Sequence, residues 1–190
     1  MNMKLSPQQK TYLLNLARKT ISDYFDKSEK TQVNPGEIDK EITKPAATFV
    51  TLTKFGELRS CIGNLIAKKP LHQDVINNAL LASFSDNRFP QLRERELKDI
   101  KIEISILSEP VPYKYDDIDS LLEQIKPKEH GVIIQNGFNQ ATYLPQVWDD
   151  LKDKVEFLES LCVKAGLPTE AWKEKTTEIF YYTVEHFSEE

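Results

Sequence analysis

The stretch Ile100-Lys101-Ile102-Glu103-Ile104-Ser105-Ile106 alternates apolar and polar residues with a period of two. Successive side chains of a strand point to opposite faces, so this is a β-strand with one buried side. Working back from it, Pro70 opens a helix in which Leu71, Val75, Ala79 and Ala82 form one stripe, widened by Ile76 and Leu80. Asp86-Asn87-Arg88-Phe89-Pro90 ends that helix in a loop. Before it, Ala46 to Thr53 and Leu58 to Ile62 are β-branched or aromatic runs joined around Phe55-Gly56, which reads as a hairpin. A first helix over 7–26 is marked by Ser6 as cap, Pro7 in the first turn and an apolar recurrence through Leu13, Leu16 and Ala17. It is expected to cover the sheets. Between them, Asp26 to Pro45 is polar and irregular, with the turn pair Pro35-Gly36, and reads as an exposed connection.

Downstream of the strand the order starts again. After a short helix from Asp117 to Ile125, Gly131 to Gln135 and Phe138 to Leu144 flank Asn136-Gly137, a strong hairpin signal. A helix from Leu151 to Ala165 follows, stopped by Gly166 and Pro168, and then a strand from Glu178 to His186. The hairpin glycines Gly56 and Gly137 stand 81 positions apart, as do the helix starts at 70 and 151. The pattern implies an α+β fold of mostly antiparallel sheets, built from a duplicated ββαβ unit. One domain then spans 1–190, with interleaved units at 46–107 and 131–186. Under that offset Arg59 answers to Gln140 and Cys61 to Thr142.

Composition narrows the function. The net charge of −5 and pI of about 5.4 make a nucleic-acid-binding module the weakest reading, because backbone recognition needs a basic surface. No apolar run approaches the roughly 20 residues of a membrane span, and Lys4, Gln8, Gln9 and Lys10 interrupt any leader-like opening. Two cysteines are too few for a disulfide scaffold, so a cytoplasmic location is expected. Spacings such as HxH, HExxH and CxxC are missing, as are glycine-rich phosphate loops, so no metal and no cofactor is assigned.

The candidate chemistry centres on Leu58-Arg59-Ser60-Cys61-Ile62-Gly63-Asn64. In an unbroken strand Arg59, Cys61 and Gly63 share one face, which sets a guanidinium beside a thiol; a nearby cation favours the nucleophilic thiolate. The same cysteine also fits as a small buried hydrophobe. Gly63 leaves room for a ligand or another backbone. His130, at a junction before Gly131, could take the thiol proton in a Cys-His pair or simply cap a strand. Arg88 and Gln146 suit the holding of an anionic or amide group, while Trp148, like Phe89, suits a pocket wall or a loop anchor. Cys162 lies on an apolar helix side and reads as core. His72 and His186 read as surface residues, and the mixed charges from Arg93 to Lys98 as a solvated face.

These segments together are similar to one family. Gly56-Glu57-Leu58-Arg59-Ser60-Cys61-Ile62-Gly63, Asp86-Asn87-Arg88-Phe89-Pro90, His130-Gly131, Leu144-Pro145-Gln146-Val147-Trp148, Phe157-Leu158 and Lys164-Ala165-Gly166-Leu167 resemble the AMMECR-one domain family, whose prokaryotic members are also called AmmeMemoRadiSam system protein A. Ser60 stands where the family signature has glycine, and Asn87 where proline is usual. The resemblance implies two unequal lobes, the cysteine signature near a cleft, and association with a Memo-type protein and a radical SAM protein. It also raises the expectation that Cys61, Arg59 and His130, with Ser60, Gly63, Arg88, Gln146 and Trp148, form one site. The leading expectation is a small-molecule or modified-residue site; the alternative from another class is a non-catalytic protein-binding adaptor.

Overall fold

The computed structural model describes residues 4–26, 31, 33 and 38–190; the turn pair Pro35-Gly36 lies outside them. Among the described residues it is an α+β fold with four α-helices and two four-stranded antiparallel sheets. The chain divides into two compact units, Met1–Leu107 with Glu185–Glu190, and Ser108–Val184.

In the first unit, helix α1 (Pro7–Phe25) starts where its cap requires. Ser6 accepts from the Gln9 N–H while the Gln9 side chain accepts from the Ser6 N–H, so two otherwise orphaned donors are satisfied. Strands β1 (Ala47–Lys54) and β2 (Glu57–Gly63) form the hairpin, α2 (Leu71–Phe84) follows, and β3 (Ile100–Leu107) returns beside β1. Ile102 and Ile104 are fully buried with Val50 and Leu52, against Leu13, Ala17 and Ile21 of α1 and Leu71, Val75 and Ala79 of α2. Over residues 100–104 the alternation of β3 does what its pattern implies, and beyond it Ser105 on the polar face is buried as well. Helix α1 packs on α2 and β3.

The second unit contains β4 (Val111–Pro112), α3 (Ile118–Gln124), β5 (Gly131–Asn136), β6 (Asn139–Tyr143), α4 (Lys154–Lys164) and β7 (Glu178–Tyr182). Its core gathers Leu121, Val132, Ile134, Trp148, Phe157, Leu158, Leu161, Cys162 and Trp172. With β8 (Val184–Ser188), the sheet orders are β2-β1-β3-β8 and β4-β7-β5-β6. Each unit thus sets a hairpin, a helix and a returning strand in the same connectivity.

Three boundaries differ from the sequence reading. The last strand is two: β7 stops at Tyr182, Thr183 exchanges hydrogen bonds with Ser108, and β8 (Val184–Ser188) joins the first unit's sheet. There Glu189 is gripped by the Arg18 guanidinium and accepts from the Ile102 N–H at 2.8 Å. The second hairpin turns on Gly137-Phe138 instead of Asn136-Gly137, with Asn136 opposite Asn139. Only Gly137 has positive φ there, the signature of a II′ turn. Helix α4 begins at Lys154, because Asp153 caps it by accepting from the N–H groups of Val155 and Glu156.

Candidate functional site

The signature strand is not regular. Thr53 pairs with Leu58, but Leu52 pairs with Ser60, so Arg59 has no partner across the hairpin and forms a β-bulge. A bulge inserts one residue and re-aims a side chain. The Arg59 guanidinium accordingly goes to Glu96, at 3.2 Å, and to the Gln91 carbonyl at 3.4 Å. Glu96 is also bonded by Lys54, and Arg59 first, then Lys54, hold its carboxyl at about 2. The Arg93–Lys98 segment is therefore tied to the hairpin rather than simply solvated. The expectation that Arg59 activates Cys61 fails for this reason.

The cation beside Cys61 is Arg88. Asp86, 6% exposed, accepts from the Cys61 N–H at 3.0 Å and from the Arg88 backbone, Nε and Nη2, with the Ser60 hydroxyl oxygen 3.2 Å away. Arg88 Nη2 also donates to the Cys61 carbonyl at 3.0 Å. The two charged side chains thus close both backbone groups of Cys61 on the outer edge of the sheet. Arg88 holds the Asp86 carboxyl well below the ordinary carboxylate range. Its own side chain stays 55% exposed and lies over the Phe89 ring.

The thiol itself is half-buried and accepts from the Thr51 hydroxyl at 3.2 Å. Burial pushes its pKa up, and that outweighs the Thr51 hydrogen bond and the Arg88 charge, which pull it down. Burial therefore favours the neutral thiol at Cys61. Ser60 points the other way, fully buried, its hydroxyl donating to the Ala82 carbonyl of α2. The strand runs through it without positive φ, so the family's glycine is not needed here for backbone shape. Gly63 resolves in favour of a backbone: an added Cβ would sit 2.3 Å from the Thr48 carbonyl oxygen.

His130, Gln146 and Trp148 belong to the second unit. Trp148 is 1% exposed, stacks on Phe157 at 3.6 Å, and donates from its indole to the His130 carbonyl, so it is core and not a pocket wall. The His130 ring stacks on Tyr181 at 4.4 Å. Its Nδ1 accepts from the Lys126 N–H at 3.3 Å and lies 2.7 Å from the Tyr113 hydroxyl. Because a backbone N–H can only donate, Nδ1 is the acceptor and the ring proton sits on Nε2. Burial, then the Lys126 charge, lowers the His130 pKa. The nitrogen that would take a proton is already engaged, which counts against a general-base role. Gln146 Oε1 is buried and has no hydrogen-bond partner among the described residues.

Other histidines and polar groups correct the sequence reading. His72 is buried, 3.0 Å from the Ile42 carbonyl, rather than on the surface. Thr48, Asn64, Asp74 and Asn78 form a buried hydrogen-bonded cluster that fastens the end of the signature strand to α2. Asp86, Thr51 and Glu96 were not singled out beforehand. The Asp86–Arg88 spacing within turn residues was the available signal for the first; the bulge hid the register that brings Thr51 to Cys61. Among the described residues, no group of three or more His, Cys, Asp and Glu could hold a metal ion, and no helix is long and apolar enough to cross a membrane.

Comparison with known proteins agrees with this architecture. The AMMECR1 family model matches residues 14–187. A protein of Methanopyrus kandleri is 35% identical over all of this chain and 93% of its own length. One from Methanosarcina barkeri is 37% identical over 84% of this chain and 80% of its own. The crystal structure of an uncharacterised protein from Pyrococcus horikoshii superposes with a TM-score of 0.91 at 29% identity, covering 98% of this chain and 94% of that one. The chain belongs to the AMMECR1 family.

Proposed function

We propose that the protein binds a small molecule or a modified side chain non-covalently at Cys61, held by Arg88, and that it does so in association with Memo-type and radical SAM proteins. The observation that carries the first part is the Arg88 guanidinium. It is fixed from beneath by buried Asp86 and by the Cys61 carbonyl, yet more than half of its side chain faces water. A cation preorganised in this way pays little entropy on binding. The upward push on the thiol argues for Cys61 as a neutral neighbour of the ligand, not as its nucleophile.

The test is a ligand screen read by thermal shift and by protection of Cys61 from alkylation. Hits are expected to lose both effects in Arg88→Ala. A hit that keeps full affinity in that variant would contradict the reading. The partner half rests on the family resemblance, and co-purification with the two proteins from the same genome tests it. The adaptor reading draws on another observation: Phe55 and Phe138, at the two hairpin tips, are 82% and 108% exposed. Large apolar groups held out in water often mark protein contacts. Retention of partners that survives Arg88→Ala but fails in Phe55→Ser with Phe138→Ser would favour it.

A further inference from the structure

The edge of β2 carries a second donor beside Arg88. Asn64 donates its N–H to the Thr48 carbonyl at 2.9 Å, so the even-numbered residues 60, 62 and 64 turn their backbone groups toward β1. By alternation, Cys61 and Gly63 turn theirs outward. The N–H and C=O of Cys61 are closed by Asp86 and Arg88. Among the described residues nothing accepts from the Gly63 N–H, and nothing accepts from Arg88 Nη1, whose Nε and Nη2 are spent on Asp86 and Cys61. The Cys61 carbonyl and the Gly63 N–H fall within one two-residue repeat of the strand edge, under about 7 Å.

Resting on the ligand-site reading above, we infer that Arg88 Nη1 and the Gly63 N–H together hold a carboxylate, one oxygen on each donor, at the open edge of β2 beside Cys61. Both groups are donors only, so a ligand presenting another donor is rejected and an acceptor is selected. A guanidinium favours the charged acceptor over a neutral carbonyl, because charge-assisted hydrogen bonds are roughly twice as strong. Asp86 offsets part of the guanidinium charge, but it occupies only the Nε and Nη2 side of the fork and leaves Nη1 as a donor. The carboxylate could belong to a small acid or to the end of a peptide; the recognition chemistry is the same.

The experiment uses the full chain with 15N-glycine and 13C-carbonyl isoleucine. Ile62-Gly63 is the only Ile-Gly pair in the sequence, so one amide signal reports Gly63, and the other glycines report the fold. Titration with acetate at constant ionic strength is expected to move the Gly63 amide saturably, with acetamide and chloride leaving it in place. Arg88→Lys keeps the charge but loses the fork and should weaken the response at least several-fold; Arg88→Ala should abolish it, with the other glycine signals unmoved. A tripeptide with a free C-terminus that binds tighter than its amidated form and than acetate assigns a peptide source. Equal affinity of tripeptide and acetate assigns a small acid, and both results support the inference. It is overturned if acetate leaves Gly63 unmoved, if chloride moves it equally, or if Arg88→Ala responds like wild type. Acetate that moves Gly63 without slowing Cys61 alkylation would uphold this carboxylate site and refute the Cys61-centred reading. Slowed alkylation with Gly63 unmoved would do the reverse.

Discussion

Counted from the hairpin turns, Cys61 opposite Thr51 and Thr142 opposite Ile133 hold the same register position in the two units. At both, a cation closes the outward carbonyl of the edge strand: Arg88 on Cys61 at 3.0 Å and Lys164 on Thr142 at 2.9 Å. The difference is what stands behind the cation. Arg88 is braced by a buried carboxylate that also takes the Cys61 N–H, and β2 carries a bulge that swings Arg59 away to Glu96. The β5–β6 hairpin keeps one register throughout, and its unit builds its polar chemistry around His130, Tyr113 and Tyr181 instead. Shared connectivity protects both sheet edges. The buried acid and the bulge make one of those edges a candidate site.

Breaking the brace should have the largest effect. Asp86→Ala leaves the Cys61 N–H without its acceptor and unbraces Arg88, while the Ser60 hydroxyl keeps the Ala82 carbonyl; an unsatisfied buried donor costs about 1–3 kcal/mol, so a loss of about 3 kcal/mol is expected in urea unfolding. Lys164→Ala, the counterpart change at an exposed pair, should cost under about 1 kcal/mol. Equal losses would erase the distinction between the units. Next, Gly63→Ala should cost about 1–3 kcal/mol, because its Cβ would meet the Thr48 and Phe49 backbone. Gly131→Ala would set its Cβ 2.4 Å from the fully buried Tyr182 ring and should cost about as much.

Acid sharpens the same contrast. Glu96 has its folded pKa depressed to about 2, so its contribution is fully present above the ordinary glutamate value near 4.3 and is lost as pH falls toward 2. Asp86 behaves with the same sign. Stability measured from about pH 5 downward should therefore fall more steeply in wild type than in Glu96→Gln. A parallel decline would remove Glu96 as the partner that captures Arg59. The smallest expected effect is at Thr51→Val, which removes the hydroxyl that donates to Cys61 and should push the thiol pKa further up without changing the fold. An alkylation profile that stays put would show that this hydrogen bond does not tune the sulfur.

The order of elements was legible because β3 alternates cleanly, Ser6 and Asp117 cap helices, and the Gly56 and Gly137 turns punctuate hairpins. What escaped were single-residue events. One inserted residue at Arg59 reverses which charge approaches Cys61, and periodicity cannot register a bulge. The turn at Gly137-Phe138 is displaced by one residue because a II′ turn needs positive φ only at its first position. The split at Thr183 is set by pairing to two different sheets, which a continuous run of β-formers does not reveal. Within the site, Cys61, Arg88 and Gly63 were named from sequence, whereas Asp86 is a buried acid whose partners all come from tertiary contact.

On the proposed reading Cys61 is a neutral thiol at a binding edge. The most direct measurement is the pH dependence of alkylation at Cys61 in the native protein, followed by mass spectrometry with limiting iodoacetamide and with Cys162 as the buried reference. Cys61 is expected to react only as pH rises above the ordinary thiol range, while fully buried Cys162 stays protected until unfolding. Rapid modification of Cys61 at neutral pH or below would contradict it and mark an activated nucleophile.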